Sequence, residues 1–230
     1  MKDPRARTPL TRDRILRTAL ELADREGLAA ISMRRIGEVL GVEAMSIYHH
    51  VANKAAVLDG IFEIVLGELP TAEQPPSWQT ALQDRARALR SVLRTHPHVL
   101  PLFASRPAIT PASLAKLEST LAILRSAGFT VEQALLAFQS LFAFVLGHTI
   151  VAYSPRDDGA AAHPAYAALS QADYPHLVEA APVLDRYDFD REFELGLEAM
   201  VLGLDVQRTR QRSRRAVARS PGRAKTPRAR

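Results

Sequence analysis

Apolar residues recur every three or four positions along most of the chain, which is the spacing of one helix face. Over residues 11–26, Ile15, Ala19 and Leu22, flanked by Leu16, Leu20 and Ala23, give a broad stripe. Thr11 is placed to cap this helix, Asp13 suits the positive end of its dipole, and Gly27 ends it. Residues 31–54, ISMRRIGEVLGVEAMSIYHHVANK, predict two shorter helices with a break at Gly41. Met33, Ile36 and Leu40 share a face of the first, with Ser32 as its cap, and Ile47 and Val51 form a narrow stripe on the second. The remaining face of the second helix reads Ala44, Met45, Ser46, Tyr48, His49 and His50, with Glu43 its only carboxylate. Asn53 can cap the next helix, from Lys54 to about Leu69. Val57, Leu58, Ile61, Phe62, Val65, Leu66 and Leu69 cover more than one face of it, as expected of a strut between two packed layers.

Residues 69–76, LPTAEQPP, read as a linker. A helix over 77–95 places Trp78, Leu82, Leu89, Val92 and Leu93 inward and Arg85, Arg87, Arg90 and Arg94 mostly outward, and His96-Pro97 ends it. A short helix over 98–105 follows. Thr110-Pro111 then opens a helix running to Ala127, with Gly128 beyond it. Residues 130–153 are the most apolar stretch, long enough to raise a membrane span. Gln139, Ser140, Gly147, His148 and Thr149 interrupt it, which favours a helix buried between other helices. A loop is expected over 154–164, short turns broken by Pro175 and Pro182 over 165–187, and a last helix from Asp188 to about Gln207. Phe189, Phe193, Gly196, Leu197, Met200, Val201 and Leu204 form its apolar face, and Gly196, Ala199 and Gly203 are small residues suited to a two-fold contact. Residues 208–230 lack core-forming residues and read as a disordered tail.

The pattern therefore predicts an all-α chain. A basic arm covers 1–10, a three-helix head 11–54, a helical body 55–207 and an Arg-rich tail 208–230. Few aromatics among abundant Ala and Leu agree with helix over sheet. The absence of cysteine excludes disulfides, thiolate metal sites and thiol catalysis. The N-terminal residues have charge but no following apolar run, so a signal peptide is not expected. The net charge of +5 conceals a segregation: +3 over 1–54, −8 over 55–207 and +10 over 208–230.

Two short helices joined at a glycine form either an ordinary αα-hairpin or a helix-turn-helix. The basic ends and the nearly acid-free face of the second helix favour nucleic acid, while an acidic body would be repelled by phosphates. The basic arm and tail would add phosphate attraction beyond the head, or be solvated extensions. Two further readings stay open: an architectural DNA binder driven by both basic ends, and a membrane-associated sensor anchored through 130–153.

The stretch LTRDRILRTALELADREGLAAISMRRIGEVLGVEAMSIYHHVANKAAVLDGI resembles the head of the TetR family of transcriptional regulators in its Gly27 and Gly41-Val42 spacing and in its Tyr48, Val51 and Asn53-Lys54. Trp78, HPHVLPLFASRP, Gly128-Phe129, Leu146-Gly147 and FELGLEAMVLGL resemble the body of the tetracycline-repressor subgroup. The resemblance implies a helix-turn-helix head on a ligand-binding and dimerisation domain. It also implies a cytoplasmic bacterial homodimer that represses a pseudo-palindromic operator until a small-molecule effector binds. It puts Arg34, Ala44, Met45 and Ser46 at or near base edges, Ser32, Tyr48, His50 and Lys54 on the phosphate side, and His49 where the family often has another aromatic. The chemistry agrees in part: an arginine can fork onto guanine, Ala44 or Met45 can pack on a thymine methyl, and Tyr48 and Lys54 can hold phosphates.

In tetracycline repressors a pocket histidine ligates the drug's metal. Leu102 or Phe103 falls there, another pocket histidine falls near Pro70, and no carboxylate lies around Val151, so a metal-tetracycline effector is not expected. A largely apolar cavity is expected instead, from Leu89, Phe103, Leu117, Leu121, Leu135, Phe138 and Phe142, with Arg106, Gln139 or His148 as polar anchors; each apolar residue alone is equally a core residue. Val145, His148, Gly196, Ala199, Met200 and Gly203 are the expected dimer contacts. His96 and His98 lack an identifiable third ligand, so neither a metal nor another cofactor is expected. No nucleophile-elbow, P-loop or dinucleotide motif supports an enzyme.

Overall fold

The computed structural model describes residues 9–70, 75–105, 110–153 and 169–219, and for 211–219 the backbone alone. Among them are ten α-helices and no strand: α1 (Arg12–Glu26), α2 (Met33–Leu40), α3 (Ala44–Tyr48), α4 (Lys54–Gly67), α5 (Trp78–Thr95), α6 (Leu100–Ser105), α7 (Pro111–Ser126), α8 (Val131–Tyr153), α9 (Pro175–Leu184) and α10 (Phe189–Arg219). The expected caps Thr11, Ser32, Asn53 and Thr110 form, each accepting a backbone N–H three residues on, and Ser77 does the same at the start of α5.

The head is α1–α3, seated on α4. Ile15, Leu22, Ile36, Ile47, Val57 and Ile61 are fully buried in the shared core. Gly60 lets α1 approach closely, since a Cβ there would meet the Leu16 methyls at 2.5 Å. The strut α4 continues this core into the body, where Phe62 and Phe103 of α6 lie with ring centroids 4.6 Å apart. In the body α5, α7, α8 and α10 pack together. Helix α8 is long and apolar enough to cross a bilayer, with mean hydropathy 1.8. Of the polar residues that interrupt it, Thr149 is buried and donates to the Val145 carbonyl, while Gln139 and Ser140 are exposed.

Helix α5 runs from the far end of the body to the head. Arg90 and Arg94 near its C-terminus hold Asp190 at the start of α10, and Trp78 at its N-terminus packs edge-on against Phe129, just before α8. Arg208 of α10 lies 5.9 Å over the Trp78 ring, so α10 runs antiparallel to α5, away from the head.

Several expectations are corrected. Arg90 is buried, not outward: its guanidinium lies 4.4 Å over the Phe193 ring and donates to Tyr153, the Phe189 carbonyl and Asp190. Pro175 opens α9 instead of breaking a turn, since the first helical position needs no N–H donor, and Pro182 sits near its end. Helix α10 continues to Arg219, well past Gln207. Arginine, glutamine and alanine are good helix formers, and extending a helix needs no new nucleus. The loop over 154–164, the arm over 1–8 and residues 220–230 lie outside the described residues.

His96 fastens three elements. Its Nδ1 is 2.8 Å from Asp24 on α1 and its Nε2 is 3.1 Å from Glu68 at the end of α4, while His98 Nδ1 is 2.8 Å from the Asp24 carbonyl. A carboxylate on each ring nitrogen fits an imidazolium donating twice. Burial opposes the charge, but the bonds to Glu68 and Asp24 outweigh it and hold the pKa above its usual 6.5. The stability carried by this clasp is thus complete below the unfolded value and is lost as pH rises through the raised folded value. Melting curves of His96→Gln against the parent should differ most at about pH 6 and least at about pH 9. An equal gap at both would mean that the ring is not charged.

Candidate nucleic-acid interface

The reading surface is built by backbone geometry. Gly41 adopts φ 68° and ends α2 in the left-handed region open to glycine. Gly37, one turn earlier, fixes how closely α3 crosses α2, because a Cβ there would lie 2.8 Å from the Val42 carbonyl oxygen. Sequence reasoning did not single it out; a glycine inside a short helix was the available signal. Ile47 and Val51 are buried, so α3 has one orientation. Its outer face carries Met45, 68% exposed, and Tyr48, 48% exposed, with His49 and His50 beside them and Ala44 and Ser46 half-buried. Large exposed side chains on a helix anchored this firmly form a surface shaped for a partner.

Around this face stand the expected phosphate-side groups. Ser32 Oγ accepts the Arg35 N–H at 3.1 Å and so is occupied as a cap. Lys54 is exposed at the first position of α4, whose amino end is favourable for an anion. Arg34 is 88% exposed and donates to Glu38 at 3.0 Å. Arg35 ties α2 to the end of α1, donating to Glu26 at 2.8 Å, and also reaches Glu38. The Arg34 and Arg35 bonds hold the Glu38 carboxyl below its usual range. Glu38 therefore competes with any base edge for Arg34. A shallow cleft of about 400 Å³ lies between Glu26, Ser32, Arg34 and Glu38.

The expected body sites divide. Leu89, Leu117, Leu121, Phe138 and Phe142 are half-buried on the mutually packed α5, α7 and α8, and Phe138 stacks on Phe142 at 6.3 Å. Phe103 is buried against the strut. Leu135 and Gln139 do not face this interior: both are exposed on the outer side of α8, one and two turns after exposed Val131. Arg106 lies outside the described residues. A separate body cleft of about 550 Å³ is lined by Arg87, Arg90, Arg94, Phe193 and Glu194, with Arg87 doubly bonded to Glu194. Among the described residues, no three His, Asp or Glu side chains are grouped to hold a metal.

The expected dimer contacts also divide. Val145 is fully buried within the chain. Gly196 is where Phe144 packs, since a Cβ there would meet that ring at 2.6 Å. His148 lies within the chain between Phe144 and Phe193, at centroid distances of 6.0 and 5.2 Å. Burial, then the nearby Arg90 charge, lowers its pKa, and Glu192 at 3.4 Å only partly offsets them. Met200 is half-buried, while Ala199 and Gly203 remain on the open face. The same face of α10 displays Leu195, Leu202 and Val206, and on α8 Val131, Leu135 and Val151 are exposed. The residue spacing predicts one apolar face on α10; its exposed Leu195, Leu202 and Val206 add a second.

This geometry can be set beside known proteins. Residues 15–61 match the family described as bacterial regulatory proteins, tetR family, and residues 69–208 match the tetracyclin repressor-like C-terminal domain. An HTH-type transcriptional regulator of Saccharopolyspora erythraea is 35% identical over 209 residues, 88% of each chain. The chain belongs to the tetR family. The class E tetracycline repressor of Escherichia coli is 29% identical over 86% of this chain and 92% of its own. The apo structure of ActR from Streptomyces coelicolor superposes with TM-score 0.78 at 34% identity, covering 89% of this chain and 99% of that one. ActR has also been solved with actinorhodin, with TM-score 0.75 to this chain, covering 86% of it and 96% of that one. The chain is thus a DNA-binding transcriptional regulator and not an enzyme.

As a tetR-family head, the α2–α3 surface presents Arg34 as its most exposed charge. Arg34→Ala should leave the melting temperature nearly unchanged, because the side chain is 88% exposed and an ion pair in solvent contributes little. It should cost about 1–3 kcal/mol on a selected duplex and relax one base position. Equal loss on selected and random duplexes, measured by fluorescence anisotropy, would instead assign Arg34 to a phosphate.

Proposed function

We propose that the chain is a homodimeric repressor of a pseudo-palindromic operator in the bacterial cytoplasm, released by a small, largely apolar aromatic effector. The observation that supports the dimer is exposed apolar surface on α8 and α10: Leu195, Leu202 and Val206, spaced along one face of α10, face solvent, as do Val131, Leu135, Leu136 and Val151 on α8. An isolated soluble chain rarely leaves so many large apolar side chains exposed on two neighbouring helices. The same patch on two copies is self-complementary about a two-fold axis. Two heads then meet successive major grooves about 34–36 Å apart. Tyr48, His49, His50 and Lys54 surround the base-facing Arg34, Ala44, Met45 and Ser46 in this arrangement.

The effector reading draws on Leu89, Leu117, Leu121, Phe138 and Phe142, and on ActR, a relative solved with actinorhodin. Buried Leu102 and Phe103, where the resemblance places a metal-ligating histidine, argue against a metal-tetracycline. Repression follows from linkage: an effector that favours a head spacing unmatched to the operator must weaken DNA binding by the same factor that DNA weakens the effector. The test uses a duplex selected by the protein from a random-sequence pool, titrated in the presence of actinorhodin and then of a panel of planar aromatic compounds. Affinity should fall about 5- to 150-fold with at least one of them, the usual range of such coupling. Affinity unchanged by every compound would reject the release mechanism while leaving DNA recognition standing.

A further inference from the structure

Among the described residues, two cations of the body stand together without a counter-charge. Arg85 of α5 is half-buried, and its guanidinium reaches across to α7, donating to the hydroxyls of Thr120 and Ser119. Thr120 is buried and in turn donates to the Lys116 carbonyl, one turn earlier on α7. Lys116 is half-buried too, and its ammonium donates to the Leu69 carbonyl just past α4, at 3.5 Å. No described carboxylate lies within ion-pair distance of either group, whereas Arg87, Arg90 and Arg94 on α5 each have one. The acids nearest in sequence serve other directions. Asp84 is exposed and lies 3.6 Å from Arg87, and Glu118 is exposed two positions from Lys116, off its helix face.

The electrostatics mark the pair as unfinished. Burial lowers the Arg85 pKa, and burial, then the Arg85 charge, lowers that of Lys116. Two like charges partly withdrawn from water cost stability, and an anion between them removes that cost. The neighbouring side chains describe the rest of a ligand. Arg85 stands one turn before Leu89 on α5, and Thr120 shares a face of α7 with Leu117, beside Leu121. All three leucines are half-buried. A cationic corner thus adjoins an apolar lining.

We propose that Arg85 and Lys116 bind the carboxylate of an acidic effector whose apolar body lies against Leu89, Leu117 and Leu121. This rests on the effector-binding role proposed for the body and names the chemical class, an aromatic acid instead of a neutral aromatic. A guanidinium fork matches the two oxygens of a carboxylate, and the Lys116 ammonium supplies a further donor. An inorganic anion would satisfy the charges but gain nothing from the leucines beside them.

The experiment uses the full-length protein and a panel of two- and three-ring aromatic carboxylic acids, each paired with its methyl ester. Binding is measured by isothermal titration calorimetry, and release by fluorescence anisotropy on the selected duplex. At least one acid should bind and release the duplex, and its ester should bind at least about 10-fold more weakly. Lys116→Met and Arg85→Gln should each weaken that acid about 10- to 100-fold and leave the ester within twofold of the parent. Arg85→Gln also removes hydrogen bonds to α7, so Lys116→Met, which keeps the length of the stem and every Arg85 bond, decides the matter if Arg85→Gln does not fold. Esters that bind and release the duplex as well as their acids would overturn the proposal and leave effector binding standing. Acid binding unchanged by Lys116→Met, or acid and ester weakened equally, would reduce the pair to a tie between helices, which also overturns it. Inorganic phosphate binding as tightly as the acids would make this an inorganic-anion site, with the same consequence. Failure of every acid to bind overturns the proposal outright. In that case release of the duplex by any ester or by actinorhodin keeps the effector role, and release by none of them removes it as well.

Discussion

Helix α4 is buried on both sides, and that double burial is the constraint from which the rest follows. Val57 and Ile61 close the head core, and Phe62, Val65 and Leu66 carry the same packing into the body. A dense apolar seam transmits displacement because it has no slack to absorb it. The His96 clasp reinforces the seam with charge, joining Asp24 of α1 to Glu68 at the end of α4. The seam and the clasp join the reading head to the body, and the proposed release relies on that connection.

The two parts of the molecule are built to different tolerances. In the head, position is fixed by close backbone approach at Gly37 and Gly60 and by short caps, while the outer face of α3 is exposed and Arg34 is held only by Glu38 at the surface. In the body, Leu89, Leu121 and Phe142 are only half-buried, while Arg90 staples α5 to α8 and α10 through Tyr153 and Asp190. Rigid reading and an adaptable interior are what a ligand-responsive regulator needs: two states differing in the body, each transmitted intact to the head.

Much of this was legible from residue spacing. The head, its caps at Thr11, Ser32 and Asn53, the left-handed Gly41 and the doubly buried strut all follow from local rules about periodicity and termini. What escaped was non-local. Arg90 resembles its outward neighbours on α5, and only the meeting of Phe193, Tyr153 and Asp190 from distant parts of the chain makes its burial favourable. Helices α8 and α10 are apolar on two sides, so periodicity could not say which side faces inward: Val145, His148 and Gly196 turned in, while Leu135 and Gln139 turned out. The His96 clasp depends on residues 28 and 72 positions away. In the site, exposure of Met45 and Tyr48 follows from the narrow Ile47–Val51 stripe, whereas the competition of Glu38 for Arg34 depends on side-chain geometry.

The central claim is that paired bodies fix the separation of two reading helices, and the chain's lack of cysteine makes this directly measurable. Val39, exposed on α2, can be replaced by a single spin-labelled cysteine and the distance between labels in the assembly read by pulsed dipolar spectroscopy. The account predicts one defined distance in the free protein. On the selected duplex it should narrow to a value matching reading helices about 34–36 Å apart, and an effector that releases DNA should displace it. Absence of any coupling between labels, or a distribution that both duplex and effector leave unchanged, would contradict the account.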